Sequence, residues 1–292
     1  MTQQIDTLQR FIFEHAPIRG EIVRLEGVWK SVLERHEYPE KLRNMMGELC
    51  AAAALLAATL KLKGSLVLQI HGTAAVKLLV VECTGDLEIR ATAKWEGELL
   101  SGNLADWVGD GRFVITLDPK DGSQAYQGIV PLEGDSIADI MQGYMTRSEQ
   151  LETRLYLAAD GQRAGGMLLQ KMPNQLNQDE DAWDRVGHLA NTLKANELLT
   201  LSATALLNRL YHEEDIRVFD EQSVVFRCQC SHENVSRMLR MLGRDEVESI
   251  LLERETIDVH CEFCNQCYQF DRVDAEAALA ELAAIEPNET RH

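Results

Sequence analysis

The sequence predicts an α+β fold in which an N-terminal antiparallel sheet with helices precedes a helical linker and a small C-terminal module. Strand-like stretches follow one another between residues 66 and 170 through short turns, without a regular alternation of strands and helices. A polar, acidic run at 172–181 marks a boundary, and five of the seven cysteines come after it. The predicted divisions are a core domain at 1–177, a linker at 178–215 and a module at 216–292.

The N-terminal part contains one long helix and a series of strands. Residues 28–34 have an apolar spacing that fits either a strand or a helix. Pro39 suits the start of a helix, and apolar residues all round 40–60 predict a long buried helix. A shorter helix is predicted over 137–145. Strands are predicted at 66–70, 76–81, 87–93, 113–117, 126–130, 151–157 and 166–170.

The linker and the module consist of short elements. Leucines at helical spacing predict two amphipathic helices within 180–211. The apolar stripe of these helices must pack against another part of the protein, such as the core domain. The second module helix is predicted to be capped by Asp245. The predicted module elements are strands at 216–219, 224–226, 257–259 and 268–270, and helices at 235–242, 247–252 and 275–285.

Composition excludes several classes of partner. The 292 residues predict about two domains, and 45% hydrophobic residues are enough for a core. A net charge of −18 argues against nucleic acid and against an anionic membrane surface. The apolar run at 49–60 is too short for a bilayer, and Met1–Asp6 lacks the features of a secretory signal. We therefore expect a cytoplasmic protein, where thiols stay reduced and a cysteine cluster binds metal or is redox-active.

Four cysteines form two close pairs in the module. Cys228 and Cys230 are separated by thirty residues from Cys261 and Cys264. Two such pairs can converge on one tetrahedral ion, and four thiolates are a common zinc shell. The module has few large apolar residues, so a bound metal would supply part of its folding energy. Thiolates also react with oxidants, so a reversible redox switch is feasible at this site.

Cys267 leaves an alternative open, because it forms a second Cys-x-x-Cys motif with Cys264. It could replace Cys261 as the fourth ligand or act as a resolving thiol. His232 and His260 lie beside the predicted ligands, where a surface or supporting role is expected for each.

The sequence predicts no enzyme active site. It contains no phosphate-binding Gly-x-x-x-x-Gly-Lys loop, no Gly-x-Ser-x-Gly elbow and no His-Glu-x-x-His pair. The two remaining cysteines, Cys50 and Cys83, fall in the buried helix and at a strand end, and we interpret them as core residues.

These motifs resemble the heat shock protein 33 family, also named 33 kDa chaperonin, over essentially the whole chain. Cys267 departs from the family pattern, which has no cysteine there. The segments that carry the resemblance are 226–231 and 260–264 around the cysteines, 143–150, 164–173, 211–214 and 217–219.

The resemblance implies a cytoplasmic, ATP-independent holdase chaperone that is controlled by oxidation. It implies that the reduced form holds one zinc per chain and is inactive. It further implies that oxidation pairs Cys228 with Cys230 and Cys261 with Cys264, releases the zinc and unfolds the module and linker. The exposed apolar surface would then bind unfolding client proteins, and the oxidised form would be a homodimer.

Two other functions remain as alternatives. One is a zinc-ribbon protein that binds nucleic acid, although residues 221–292 carry 15 acidic and 7 basic side chains. The other is a thiol oxidoreductase that uses Cys264 and Cys267, although no thioredoxin-like β-α-β pattern surrounds them.

Overall fold

The computed structural model describes residues 6–60, 63–99, 101–119, 122–173, 179 and 181–280. The chain divides into two units, Met1–Arg227 and Cys228–His292. Each unit has a hydrophobic core of its own. The domain boundaries predicted after residues 177 and 215 stay a prediction.

The first 60 residues form two strands and two helices. The strands were not predicted, and the ambiguous stretch at 28–34 is helical. The Asp6 carboxylate accepts hydrogen bonds from the backbone N–H groups of Glu26, Gly27 and Val28, and so satisfies donors at the start of this helix. The elements are β1 (Thr7–Phe13), β2 (Ile18–Leu25), α1 (Gly27–Leu33) and α2 (Glu40–Leu60).

The predicted strands and the shorter helix of the next hundred residues are confirmed, with ends that shift by a few residues. One short helix was not predicted. Asn103 caps it, because its side chain accepts a hydrogen bond from the backbone N–H of Asp106. The elements are β3 (Gly64–His71), β4 (Val76–Thr84), β5 (Glu88–Trp95), α3 (Leu104–Val108), β6 (Arg112–Pro119), β7 (Tyr126–Pro131), α4 (Ile137–Arg147), β8 (Thr153–Ala159) and β9 (Ala164–Lys171).

The linker contains three helices in its described residues, so the prediction of two was wrong. Leu201 adopts an extended conformation, and Ser202 then caps a new helix by accepting from the backbone N–H of Ala205. A spacing of leucines alone could not show this interruption. The helices are α5 (Ala182–Ala190), α6 (Ala195–Thr200) and α7 (Ala203–Tyr211). Residues 178 and 180 of the predicted linker lie outside the described residues.

Three short strands complete the first unit: β10 (Ile216–Val218), β11 (Gln222–Ser223) and β12 (Val225–Phe226). The first sheet has the strand order β10-β1-β2-β9-β8, with β11 also paired to β1. The second has the order β12-β5-β4-β3-β6-β7. The β12–β5 pair is parallel, which departs from the predicted antiparallel arrangement. No hairpin joins these two strands, so no turn fixes their relative direction.

The long helix α2 lies between the two sheets. It contacts β2, β8 and β9 of the first sheet and β3, β4 and β5 of the second. This position explains why apolar residues occur all round the helix, as predicted. Within the described residues, no helix is both long and apolar enough to cross a bilayer.

The linker helices cover the other face of the first sheet. Side chains alternate along its strands, so Val23 and Leu168 belong to the core around α2. Ile22 and Met167 point the opposite way and pack in a second core with Leu206. The apolar stripe predicted for the linker is therefore buried within the first unit.

The second unit contains α8 (His232–Leu242), α9 (Arg244–Glu253), β13 (Ile257–His260), β14 (Cys267–Phe270) and α10 (Arg272–Ala280). Gly243 follows the first helix with a φ of 89°, as its predicted end. The prediction that Asp245 caps the next helix was wrong, since Asp245 lies inside the first turn. Residues 281–285 of the predicted last helix lie outside the described residues.

The core of the second unit is small. Eight buried residues form it, and six of them are aliphatic or aromatic side chains from α8, α9 and the hairpin. A unit with so little buried apolar surface needs a further source of stability. The core residues are Val235, Leu239, Val247, Leu251, Ile257, Phe270, Ala275 and Leu279.

One buried carboxyl lies where β1, β2 and α2 meet. Glu21 is 3% exposed, and burial raises its pKa from the ordinary 4.5 to about 7. The Thr59 hydroxyl donates a hydrogen bond to its Oε2 at 3.2 Å. The positive charges of Arg10, whose Nε lies 4.0 Å from Oε1, and of Arg19 offset only part of the cost of burial.

This raised pKa predicts a pH-dependent stability. Between pH 4.5 and 7 the folded chain keeps a proton on Glu21 that the unfolded chain has lost, so the free energy of unfolding falls as the pH rises through this window. Glu21→Gln removes the effect and should stabilise the first unit by about 2 kcal/mol at pH 8. Urea unfolding at pH 5 and pH 8 measures it, and the same pH dependence in both proteins would contradict the prediction.

Candidate metal centre

The two cysteine pairs converge in the second unit. Cys228 and Cys230 precede α8, and Cys261 and Cys264 lie in the loop between β13 and β14. The four sulfur atoms all lie within 4.8 Å of one another. The Sγ atoms of Cys228 and Cys261 are 3.5 Å apart, and those of Cys230 and Cys264 are 3.2 Å apart. Both of these contacts join one cysteine pair to the other.

The start of α8 positions the first pair. Ser231 caps the helix by accepting a hydrogen bond from the backbone N–H of Asn234 at 3.1 Å. The Asn234 side chain donates in turn to the backbone carbonyl of Gln229 at 2.7 Å. Because Gln229 stands between Cys228 and Cys230, this bond fixes the backbone from which both thiols project.

A tight hairpin loop positions the second pair. The backbone N–H of Cys261 donates to the carbonyl of Gln266 at 3.0 Å, and the N–H of Asn265 donates to the carbonyl of Cys261 at 2.8 Å. Asn265 has a φ of 56°, a left-handed conformation that asparagine tolerates well. The loop brings Cys261 and Cys264 to the same side, where they face the first pair.

The geometry and chemistry of the four sulfurs fit one zinc ion. Zinc binds thiolates at about 2.3 Å, so a tetrahedral shell places its sulfurs about 3.8 Å apart. The separations in this cluster bracket that value. Soft thiolate ligands also favour zinc over hard cations such as magnesium. The cluster is thus consistent with a zinc site, and the assignment of these four residues as its ligands stays a prediction.

Electrostatics favour a cation at the cluster. Burial, together with the neighbouring sulfurs of Cys228, Cys230 and Cys261, raises the pKa of the Cys264 thiol above its ordinary value. Four thiolates at these distances repel one another, whereas a divalent ion stabilises the deprotonated form. The cluster therefore holds thiolates most readily when a metal balances their charge.

Tyr268 supports the cluster and was not found from the sequence. Its hydroxyl donates a hydrogen bond to Cys230 Sγ at 3.2 Å, and this bond contributes most to raising the pKa of Tyr268 to about 12. Side chains alternate along β14, so Tyr268 and Phe270 share one face. This alternation could have indicated Tyr268, because Phe270 belongs to the core.

Cys267 occupies a different position from the four clustered cysteines. It lies on β14, directly opposite His260, on the face away from Tyr268. It is not part of the group of converging ligands found in the described residues. The loop geometry thus explains why only the first of the two overlapping Cys-x-x-Cys motifs meets Cys228 and Cys230.

The two candidate histidines have other surroundings. The His232 ring stacks on Phe270, with ring centroids 4.3 Å apart, and its Nδ1 lies 3.5 Å from Ser236 Oγ. His260 is exposed on β13. Neither belongs to the converging group in the described part of the chain.

Cys50 and Cys83 lie in the core of the first unit, as predicted. Their exposures are 1% and 0%, and burial raises the pKa of both thiols well above the ordinary value. Thiols in this environment stay protonated and unreactive.

The fold and the cluster together define a class of protein: a two-unit α+β chain whose small C-terminal unit carries four converging thiols. A sequence profile of the Hsp33 protein family matches residues 6–271. The chain is 57% identical to a 33 kDa chaperonin of Methylobacillus flagellatus, over 98% of this chain and 99% of that protein. It is 50% identical to a 33 kDa chaperonin of Chromobacterium violaceum, over 98% of each chain. The chain therefore belongs to the Hsp33 family.

A solved structure has the same fold. The crystal structure of the 33 kDa chaperonin of Thermotoga maritima superposes with a TM-score of 0.81 and covers 95% of this chain and 99% of its own. The two sequences are 21% identical, so the likeness concerns the fold.

The position of Cys267 predicts different effects for two substitutions. Cys267→Ser should leave zinc bound, because its side chain lies on the opposite face of β14 from the cluster. Cys261→Ser should lose most of the zinc and unfold the second unit, because three thiolates then remain. Metal analysis of the purified, reduced proteins measures both, and loss of zinc from Cys267→Ser would contradict the prediction.

Proposed function

We propose that this protein is a redox-regulated chaperone that binds unfolding proteins without ATP. The observation that carries the proposal is the convergence of four cysteines in a unit with a core of eight residues. Membership of a family whose relatives are named 33 kDa chaperonin supports the chaperone activity. We place the protein in the cytoplasm, where the thiols are kept reduced until an oxidant appears.

In the reduced state, one zinc ion per chain holds the second unit folded. The ion links the loop before α8 to the loop between β13 and β14 through Cys228, Cys230, Cys261 and Cys264. Its binding free energy is folding free energy, because an unfolded chain does not hold the four thiolates together. Since the core is small, loss of the ion unfolds the unit.

Oxidation removes the ligands. Cys228 pairs with Cys230, and Cys261 pairs with Cys264, as the family resemblance implies. Formation of each disulfide consumes two thiolates and transfers two electrons to an oxidant. The oxidant is either hydrogen peroxide, which is reduced to water, or hypochlorous acid, which is reduced to chloride and water. Disulfide sulfurs are poor zinc ligands, so the ion leaves. The four Sγ atoms lie within 4.8 Å, so each pairing needs only small movements.

The linker then supplies the client-binding surface. Helices α5, α6 and α7 contribute Val186, Leu198 and Leu206 to one buried core with Phe11 and Ile22 of the first sheet. Their release exposes both the leucine stripe and the face of the sheet that it covers. The chain from this linker runs through β10, β11 and β12 directly to Cys228, so the loss of structure after that residue reaches the linker through these short strands.

The polar interactions of the linker helices are of moderate strength. Arg209 pairs with Glu197 at 2.8 Å within the linker, and Arg154 of β8 lies 3.4 Å from Asp184 and 4.9 Å from the ring centroid of Trp183. Partly exposed ion pairs contribute about 0–1 kcal/mol each. Apolar packing therefore provides most of the docking free energy, and a modest disturbance can free the segment.

The charge of the chain suits this role. A net charge of −18 repels nucleic acid and anionic membranes and keeps complexes with unfolded proteins in solution. The oxidised form, with its apolar surfaces exposed, is proposed to be a homodimer, because a second copy can cover part of that surface.

Oxidation should change zinc and thiol content together. Reduced protein should contain one zinc and seven titratable thiols after denaturation, whereas peroxide at raised temperature should release the zinc and leave three thiols. The oxidised protein should suppress light scattering from a heat-denatured client without ATP. Cys267→Ser is the control: it should release zinc and protect the client as the parent protein does, with one thiol fewer before and after oxidation. Oxidised protein that lost zinc yet protected no client would refute the proposal.

Weakening the docked linker should mimic oxidation. Leu206→Ala removes a side chain that is 1% exposed, which costs about 3 kcal/mol of packing. Amide exchange in α5–α7 should accelerate, and the reduced, zinc-bound protein should protect clients. Asn208→Ala, on the exposed face of the same helix, is the matched control and should change neither property. Faster exchange without client protection would show that the linker is not the regulated surface.

A further inference from the structure

A cavity of about 270 Å³ lies in the first unit where α2, α3 and the start of α4 meet. Its apolar lining includes Met45, Leu104 and Ile137, and its polar lining includes Asn44 and Glu48. One water molecule takes about 30 Å³ of liquid, so the space exceeds what a few bridging waters fill. Its described lining residues include no member of the cysteine cluster or of the linker helices, and the proposed function does not use it.

Two polar groups that line this cavity have no hydrogen-bond or ion-pair partner among the described residues. Within the described residues, the Glu48 carboxylate makes no hydrogen bond or ion pair, although Glu48 is largely buried. Asn44 Oδ1 is also buried without a hydrogen-bond partner in that part of the chain. The two residues are one turn apart on α2 and share a face. An unpaired buried acceptor such as Asn44 Oδ1 is costly, and the Glu48 carboxylate one turn away is a charged acceptor, so the two together indicate an occupant that donates hydrogen bonds.

The other charges favour a cation. Asp135, ahead of α4, adds a second carboxylate to the lining, and Lys41 is the one basic residue among the described lining residues. The Lys41 ammonium lies 5.5 Å from the centroid of the Trp107 ring. With both carboxylates ionised, the lining therefore carries a net charge of −1.

The lining also discriminates between kinds of cation. In the described residues, no group of three or more acidic or histidine side chains converges at this cavity, so a chelated metal ion is disfavoured. The aliphatic side chains of Met45, Leu104 and Ile137 suit a hydrocarbon chain. An ammonium group attached to a short alkyl chain matches both parts.

We propose that this cavity binds a small alkylamine. The ammonium group donates hydrogen bonds to the Glu48 carboxylate and the Asn44 carbonyl, and the alkyl chain packs against Met45, Leu104 and Ile137. A diamine can place its second ammonium near Asp135. Because the occupant joins α2, α3 and the start of α4, its binding stabilises the first unit.

Proton linkage provides a signature of this site. Burial raises the pKa of Glu48 from the ordinary 4.5 to about 7. The other charged groups in the cavity are Lys41 on α2 and Asp135 before α4, and α3 contributes only uncharged side chains. An ammonium ion binds the ionised carboxylate, so binding releases a proton near neutral pH and tightens between pH 6 and pH 8.

Calorimetric titration of the full-length, reduced, zinc-loaded protein tests the proposal. The probes are 1,4-diaminobutane and butylamine, with 1-butanol as the uncharged analogue. Both amines should give saturable binding that strengthens with pH, and butanol should not bind. Glu48→Gln should weaken amine binding by about tenfold or more, because it removes the charged acceptor. Glu40→Gln makes the same change on the exposed start of α2 and should leave binding unchanged.

A second variant guards against misfolding of the first. Asn44→Asp adds a carboxylate to the cavity and should strengthen amine binding by about threefold or more. Thermal unfolding and zinc content establish that each variant is folded. The proposal would be overturned if neither amine bound saturably, or if Glu48→Gln and the parent protein bound the amines with equal affinity. It would also be overturned if butanol bound as well as the amines, or if the protein bound magnesium through Glu48 in place of an amine. Client protection by the oxidised protein is expected to be the same in all variants.

Discussion

The first sheet is apolar on both faces, so two separate layers of helices must cover it. Because side chains alternate between the two faces along β2, Val23 packs in the core around α2 and Ile22 packs in the core of the linker helices. Helix α2 is itself enclosed by the second sheet and cannot leave without loss of the whole core. The linker helices have only one apolar side to satisfy, and they are short. The two coverings therefore differ in how easily they separate, which gives the proposed chaperone a surface that it can expose while the rest stays folded.

The second unit is stabilised differently. Its core has eight residues, but four cysteine sulfurs converge beside it and suit a zinc ion. The cap of α8, the loop around Asn265 and the Tyr268 hydroxyl all act on the cluster. A structure held mainly by one ion is lost when the ligands change chemically, whereas a large apolar core does not respond to oxidants. This contrast between the units is the reason for proposing that the second one is the redox sensor.

Sequence patterns predicted the helices and strands that have a regular spacing of apolar residues between turn residues. The long helix over 40–60 and seven strands between 64 and 171 are present, since period and turn residues define them locally. The hairpin at 7–25 was not predicted. The linker has three helices because Ser202 starts a new one after an extended Leu201. The parallel pairing of β12 also lay beyond prediction, because the partner strand is distant in sequence.

The sequence by itself determined which cysteines form pairs of close neighbours and, through its motifs, the family. Spacing and composition are properties of the chain, so they need no folded structure. The tertiary structure decided which contacts the side chains of those residues make. It brought the four sulfurs within 4.8 Å, turned Cys267 to the other face of β14 and placed Tyr268 on Cys230. Among the residues that the structure describes, it also left Glu48 without a hydrogen-bond or ion-pair partner, in a cavity where three helices meet. Contacts between segments far apart in sequence depend on packing, which no local pattern encodes.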